Sequence, residues 1–275
     1  MNNQLTDHQS QLWLVVPLLS KQTHEIQPFI NQHQWFFDQG GKAIFKISGA
    51  VDRDFASQVS SPNIHLIQIP DKSLYEAWNQ SMDFLQNMGI DESSYIIFLG
   101  LDDVWSENFF RQAMNLIKQH KCLDFIYGNS RHLFHGRYLD YTSPVNPALF
   151  GADNFVFDVP HPGMLNKWGS IFNQRFDTQF KLAADFDFYI GIAQQGNISF
   201  LKIDIVQAVI GADGVSNGAT AKSTYLKEWK LIEAKRKVKL DLQIWRTRLL
   251  ALLATQPYLF QIMRKLWWAV KAHKG

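Results

Sequence analysis

An α/β fold, with a mostly parallel mixed sheet flanked by helices and a helical C-terminal extension, is the architecture this sequence predicts. Short apolar, β-branched and aromatic runs alternate with segments of helical period, the order that builds a parallel sheet covered on both faces. The run Tyr95 to Leu99 is apolar enough for a strand buried on both faces, and it leads directly into Asp102 and Asp103 and then into a helix. At 275 residues the chain can bury a large core, with neither an internal repeat nor a low-complexity tract.

The elements follow in order. "LWLVVPL" reads as a first strand, residues 25 to 39 as a helix, "AIFKISG" as a second strand and "HLIQIP", from His65, as a third. In "DKSLYEAWNQSMDFLQNMG", Ser73 and Glu76 have capping-box spacing, Leu74, Trp78, Met82 and Leu85 make one apolar stripe, and Gly89 supplies a left-handed C-cap. After the strand that ends in the two aspartates, Ser106 is an N-cap for a helix from Glu107 to about His120. "LDFIYGNS" is another strand, Thr142 to Met164 a stretch of loops and short strands, "AADFDFYIGIAQQG" a helix closed by Gly196, and "ISFLKIDIVQAVIG" an edge or return strand.

Composition narrows the function classes. A single cysteine, Cys122, excludes an intrachain disulfide framework or a thiolate metal site and fits a reducing compartment. The first residues lack a basic n-region, and the apolar run from Leu12 to Leu19 is too short for a signal core or a membrane span, which predicts a cytoplasmic catalytic part. The chain contains neither G-x-G-x-x-G nor a P-loop, so ordinary dinucleotide and P-loop readings have no support. Thirteen of the 27 Lys and Arg, but three of the 25 Asp and Glu, lie from Ala219 onward, so an acidic body precedes a basic tail.

Two adjacent acids at a strand's carboxyl end repel unless a cation or hydrogen-bond donors neutralise them. That end is also where open α/β sheets bind ligands. Mg²⁺ and Mn²⁺ take oxygen ligands and share their sphere with substrate phosphates, so one reading of Asp102 and Asp103 is a metal and diphosphate site. The other is a turn pair before a helix, favoured by local hydrogen bonds and the helix dipole.

Four blocks in order resemble the family-two inverting glycosyltransferases of the GT-A fold, particularly bacterial ones that build exopolysaccharide, capsule or O-antigen units. They are "DKSLYEAWNQSMDFL", "IIFLGLDD", "IYGNS" and "HPGMLNKWGSIFNQRFDTQFKLAADFDFYIGIAQQG", and the resemblance covers roughly residues 10 to 218. It implies that Asp103 binds a divalent cation, Mn²⁺ or Mg²⁺, bridging the diphosphate of a nucleotide sugar, and that Asp102 contacts the ribose or supports the metal. Asp71 is placed near the base and ribose, and Asp185 becomes the general base for the acceptor hydroxyl, with Asp187 as its competitor. Pro17 is the remnant of the family's base-gripping turn, and Asp52, displaced by a few residues, follows the second strand where the family carries an acid. His161 is a contact for acceptor or diphosphate, or a loop histidine bonded to backbone; Trp168 is a stacking platform for an acceptor sugar, or a packing residue.

The expected organisation is a GT-A domain over residues 1–218 and a basic amphipathic extension over 219–275. The extension, with Trp245, Trp267 and Trp268 and a break at Pro257, fits an interfacial helix on the inner face of the plasma membrane better than a span. That location suits a lipid-linked saccharide acceptor. Packing on the domain and a homodimer contact are the alternatives. A haloacid-type phosphatase needs Asp-x-Asp, which this strand end lacks; a noncatalytic nucleotide-sugar or membrane binder could keep the fold; and no electropositive track for nucleic acid is evident in the acidic body.

Overall fold

The computed structural model describes residues 11–50, 59, 61–120, 123–134, 137–143, 159–196, 198–211, 221–240 and 244. The chain falls into two compact units: Met1–Ala148, Phe157–Gln179 and Ala184–Ala212 form the first, and Leu149–Val156, Phe180–Ala183 and Asp213–Gly275 the second.

The first unit is built on a nine-stranded sheet. Its strands are β1 (Leu12–Leu19), β2 (Lys42–Ser48), β3 (Ile64–Gln68), β4 (Tyr95–Phe98), β5 (Val104–Trp105), β6 (Phe125–Phe134), β7 (Arg137–Tyr141), β8 (Leu165–Lys167) and β9 (Phe200–Gly211). The order is β3-β2-β1-β4-β8-β6-β9-β5, with β7 paired to β6. The β3-β2-β1-β4 half is parallel. β8 runs antiparallel to both β4 and β6, β5 antiparallel to β9, and β6 parallel to β9. The "IDIVQAVIG" strand is thus internal, covered on its outer side by the two-residue β5.

The helices are α1 (Ile26–Gln32), α2 (Gln34–Phe37), α3 (Leu74–Asn87), α4 (Glu107–Gln119), α5 (Trp168–Ile171) and α6 (Ala184–Ala193) in this unit, with α7 (Ala221–Arg236) in the second. Local signals explain their ends. Ser73 accepts from Glu76 N at the start of α3, the Glu76 carboxylate takes the Lys72 N–H at 2.7 Å, and Gly89 turns left-handed at φ 64. Ser106 caps α4 by accepting from Phe109 N, and Gly196 closes the turn after α6 at φ 76. The stripe expected on α3 is buried at Trp78, Met82 and Leu85, but at the first helical position Leu74 is exposed and its neighbour Tyr75 is buried instead.

The helix expected over 25 to 39 is interrupted at His33. A 3-10 segment (Ser20–Glu25) precedes α1, and His33 leaves helical geometry at φ −108, ψ 22. Its buried ring supplies the reason: Nε2 accepts the Trp105 N–H at 3.0 Å, which makes Nδ1 the donor to Phe29 O at 2.9 Å. Burial holds the imidazole below its ordinary pKa, consistent with this neutral tautomer. Trp35, Phe36, Trp105 and Phe110 pack as one aromatic cluster beside it.

Pro17 in an internal strand is accommodated by where β4 stops. The β1–β4 pairing runs to Val15↔Phe98 and Leu99 N donates to Val15 O, so Pro17, which has no N–H to continue the ladder, stands where that pairing stops. Asp52 and the tail residues Trp245, Pro257, Trp267 and Trp268 lie outside the described residues.

Candidate functional site

Asp71, Asp102, Asp103 and Pro17 all sit toward the carboxyl ends of the parallel strands β1, β3 and β4. Two glycines shape the acid pair. Gly100 N donates to Asp103 Oδ2 at 2.9 Å and Gly211 N to Asp103 Oδ1 at 3.2 Å, so each oxygen of this buried carboxylate is anchored to backbone. A Cβ on Gly211 would fall 2.5 Å from Asp102 Oδ2. Burial first, and the Asp102 charge second, push Asp103 up to about 6, against the pull of its two backbone bonds.

Asp102 differs. It is exposed, and among the described residues its carboxylate has no hydrogen-bond or ion-pair partner. Asp103 thus ties the turn, as the turn-pair reading expects, and leaves the Asp102 carboxylate exposed beside it.

A divalent cation fits this donor set. Carboxylate oxygens are the hard ligands that Mg²⁺ and Mn²⁺ take, Asp103 keeps a second lone pair on each oxygen, and a cation would offset the mutual repulsion that raises its pKa. Among the described residues no group of three His, Cys, Asp or Glu could enclose a metal, so a cation here would complete its shell with water and phosphate oxygens.

Asp71 is held by a residue the sequence reading did not single out. Lys46, on β2, is wholly buried, and its ammonium donates to Ile69 O and, at 2.7 Å, to Asp71 Oδ2. Ser48, the residue standing at the end of β2, is within hydrogen-bond reach of the Asp71 backbone. A buried lysine needs such a partner, since an unpaired ammonium in the interior costs several kcal/mol, roughly 3–5 when one partner is removed. Lysine in an apolar strand pattern was the available signal.

Asp185 lies in the first turn of α6, half-buried, with Oδ1 accepting Phe186 N at 2.8 Å and facing the Tyr75 hydroxyl at 3.5 Å. Asp187 is fully buried, so of the two competitors only Asp185 reaches solvent. The resemblance block around Tyr75 acquires physical content here. Asn79 Nδ2 donates to Phe176 O at 2.8 Å and Asn79 Oδ1 accepts Phe176 N at 2.8 Å, so one side chain imitates a strand partner and joins α3 to the segment leading toward Asp185.

His161 is buried among Trp78, Phe98, Phe176 and Tyr189. Its bonding can be solved. Asn166 Nδ2 donates to Ile96 O and Met164 O, which turns Oδ1 toward Tyr189; the Tyr189 hydroxyl must then donate to Asn166 at 2.8 Å and accept from His161 Nδ1 at 2.8 Å. Burial lowers the His161 pKa to about 3, and burial, with the Asp185 charge second, raises that of Tyr189. At 5% exposure His161 is a support beneath the site and not a surface for diphosphate or acceptor. The adjoining Gly163, at φ 81, donates its N–H to Phe98 O and accepts from Trp105 Nε1, which locks this turn to the end of β4.

Trp168 does not join the constellation. Its N–H bonds to Ser94 O at the amino end of β4, the opposite end from the acid pair, and its side chain is 2% exposed and packed near Phe172. The antiparallel direction of β8 carries it there.

No protein-family model matches the chain, and no curated protein matches it. Solved structures do. A crystal structure of residues 1–349 of S. aureus TarS matches with TM-score 0.56 and 14% identity, covering 86% of this chain and 68% of that one. The same TarS fragment in complex with UDP-GlcNAc matches with TM-score 0.59 and 14% identity, over 86% of this chain and 69% of that one. A longer TarS structure matches at TM-score 0.54 and 14% identity over 86% of this chain, which spans only 41% of it. The chain has the GT-A fold, as the sequence led one to expect.

Proposed function

We propose that this chain is an inverting glycosyltransferase that moves a sugar from a nucleoside-diphosphate donor to a hydroxyl of a saccharide acceptor. The observation that carries the reading is an exposed acid on an anchored acid pair at the carboxyl ends of parallel strands in a GT-A fold, in a chain that also carries a solvent-reaching carboxylate on α6. The UDP-GlcNAc complex of the TarS fragment supports a nucleotide-sugar donor for this fold.

The acceptor hydroxyl gives its proton to Asp185 as its oxygen bonds to the anomeric carbon, and the bond from that carbon to the diphosphate oxygen breaks on the opposite face. Asp102 and Asp103 would hold a divalent cation, which would supply Lewis-acid neutralisation of charge on the leaving diphosphate. Asp71, fixed by Lys46, would face the nucleoside, with Pro17 on the neighbouring strand. Tyr75 and the Tyr189 network orient the α6 end. The basic, Trp-containing tail supports a lipid-linked acceptor at an anionic membrane surface; no helix among the described residues is long and apolar enough to cross a membrane.

The test is release of nucleoside diphosphate and transfer of sugar from a donor panel, with and without Mn²⁺. Asp185→Asn is expected to lower kcat by about 10²–10⁴ while leaving donor KM nearly unchanged, since a general base acts in the transition state. An equal rate in the variant would remove Asp185 from the role. A second reading has its own support: both Asp103 oxygens are occupied by backbone, as in a structural turn. A chain that only binds nucleotide sugar would show donor binding with no turnover in either form.

A further inference from the structure

We infer that Glu228, on α7, is a positioning residue for the turn that leads into Asp185. The inference rests on the catalytic reading of Asp185. Glu228 is 5% exposed, and its carboxylate gathers three successive backbone N–H groups: Oε1 accepts from Lys181 at 2.7 Å, and Oε2 from Leu182 at 3.0 Å and Ala183 at 2.9 Å. The next residue, Ala184, opens α6, and Asp185 follows it.

Residues 181–183 belong to neither helix nor strand, so no regular ladder sets their path. Convergent N–H groups of this kind form an anion-binding nest. Here the anion is built in, and three charge-assisted bonds replace the missing ladder. The same helix makes a second contact with this turn. Lys235 Nζ lies 5.3 Å from the centre of the Phe180 ring, and positions 228 and 235, two turns apart, share one face of α7. Upstream, Asn79 fixes Phe176 through both its N–H and its carbonyl. The segment is therefore pinned at Phe176 and again at residues 181–183, immediately before the base.

A general base tolerates little displacement: errors of about 1 Å can cost on the order of a hundredfold in rate. Glu228→Gln keeps shape and bulk but replaces one acceptor oxygen by an NH₂ that opposes the N–H groups, so the pin fails without a cavity. The basic extension, by this argument, carries a residue that the transfer reaction needs, independent of any membrane contact.

The experiment uses the full chain as wild type, Glu228→Gln, Glu228→Asp and Asp185→Asn/Glu228→Gln, with UDP-GlcNAc and Mn²⁺ as the probe. In Glu228→Gln, hydrogen exchange of amides 181–187 should accelerate at least tenfold while donor affinity stays within twofold and kcat for nucleotide release falls ten- to hundredfold. Glu228→Asp should recover part of the rate, and Glu228→Gln should cost nothing further once Asp185 is Asn, because both changes act through one group. Unchanged exchange, an unchanged kcat, or additive losses would each overturn the inference. Failure of the wild type to bind or turn over the probe would count against the proposed function instead, and the exchange arm would still decide whether Glu228 holds the turn.

Discussion

At Asp103, two backbone bonds and a neighbouring charge compete, and the balance sets what substitutions do. Gly211→Ala should move Asp102 more than it destabilises, because the nearest atoms to the new Cβ are the end of an exposed side chain; we expect a melting change within about 1 kcal/mol and a clear loss of cation or donor affinity. Titration with Mn²⁺ checks this, and unaltered affinity would separate Asp102 from ligand binding. The Lys46–Asp71 pair behaves oppositely. Asp71→Ala strands a buried ammonium and should cost about 3–5 kcal/mol, whereas Lys46→Met with Asp71→Asn should recover most of it; denaturant melts of the three variants decide. Loss of activity in Asp71→Ala alone is then not proof of a nucleotide contact. Lys46 left only a local signal in the sequence, one polar letter inside an apolar strand, and only the fold shows that it points at Asp71.

Elements were legible where local chemistry sets them. The caps at Ser73, Ser106, Gly89 and Gly196 stand where the residue types require them, and the alternation of apolar runs gave the parallel half of the sheet. Where the structure departs from a local pattern, tertiary contacts override it. The helix over 25 to 39 breaks because His33 exchanges helical geometry for a bond to Trp105, a partner 72 positions away. Of the two alternatives for Trp168, the fold selects packing, because the antiparallel direction of β8 carries it to the amino end of β4, away from the acid pair. At this scale Asn79→Ala is the informative change. It removes two bonds to Phe176, each worth about 0.5–1.5 kcal/mol, and should lower kcat more than donor affinity, because α3 would no longer align the base segment. A pure stability loss with kcat intact would show that the clamp is structural only.

For the molecule as a whole, pH dependence follows from its buried histidines. His33 and His161 have pKa values depressed by burial, so the unfolded chain takes up protons first, and stability present above about 6.5 is lost as pH falls toward 3. Asp103, raised to about 6, contributes the opposite slope, losing stability as pH rises from 3.8 to about 6, in the absence of a cation. With the histidines dominant, the melting temperature should climb from pH 5 to 7, and His161→Gln should flatten that limb; a steeper limb would contradict the assignment. The GT-A fold itself was readable from four ordered motifs, while the identity of the donor was not, because the acid that the resemblance leads one to expect at the end of the second strand is displaced in this sequence to Asp52. The most direct measurement is therefore thermal stabilisation by a panel of UDP-, GDP- and dTDP-sugars, with and without Mn²⁺, on wild type, Asp102→Ala and Asp103→Ala. A ligand at a hundred times its Kd adds about 2.7 kcal/mol to the folded state, or roughly 5 °C or more for a chain of this size. The account predicts a Mn²⁺-dependent shift with one nucleotide class that both variants lose. No shift with any donor, or an equal shift in the variants, would contradict a nucleotide-sugar site at the acid pair.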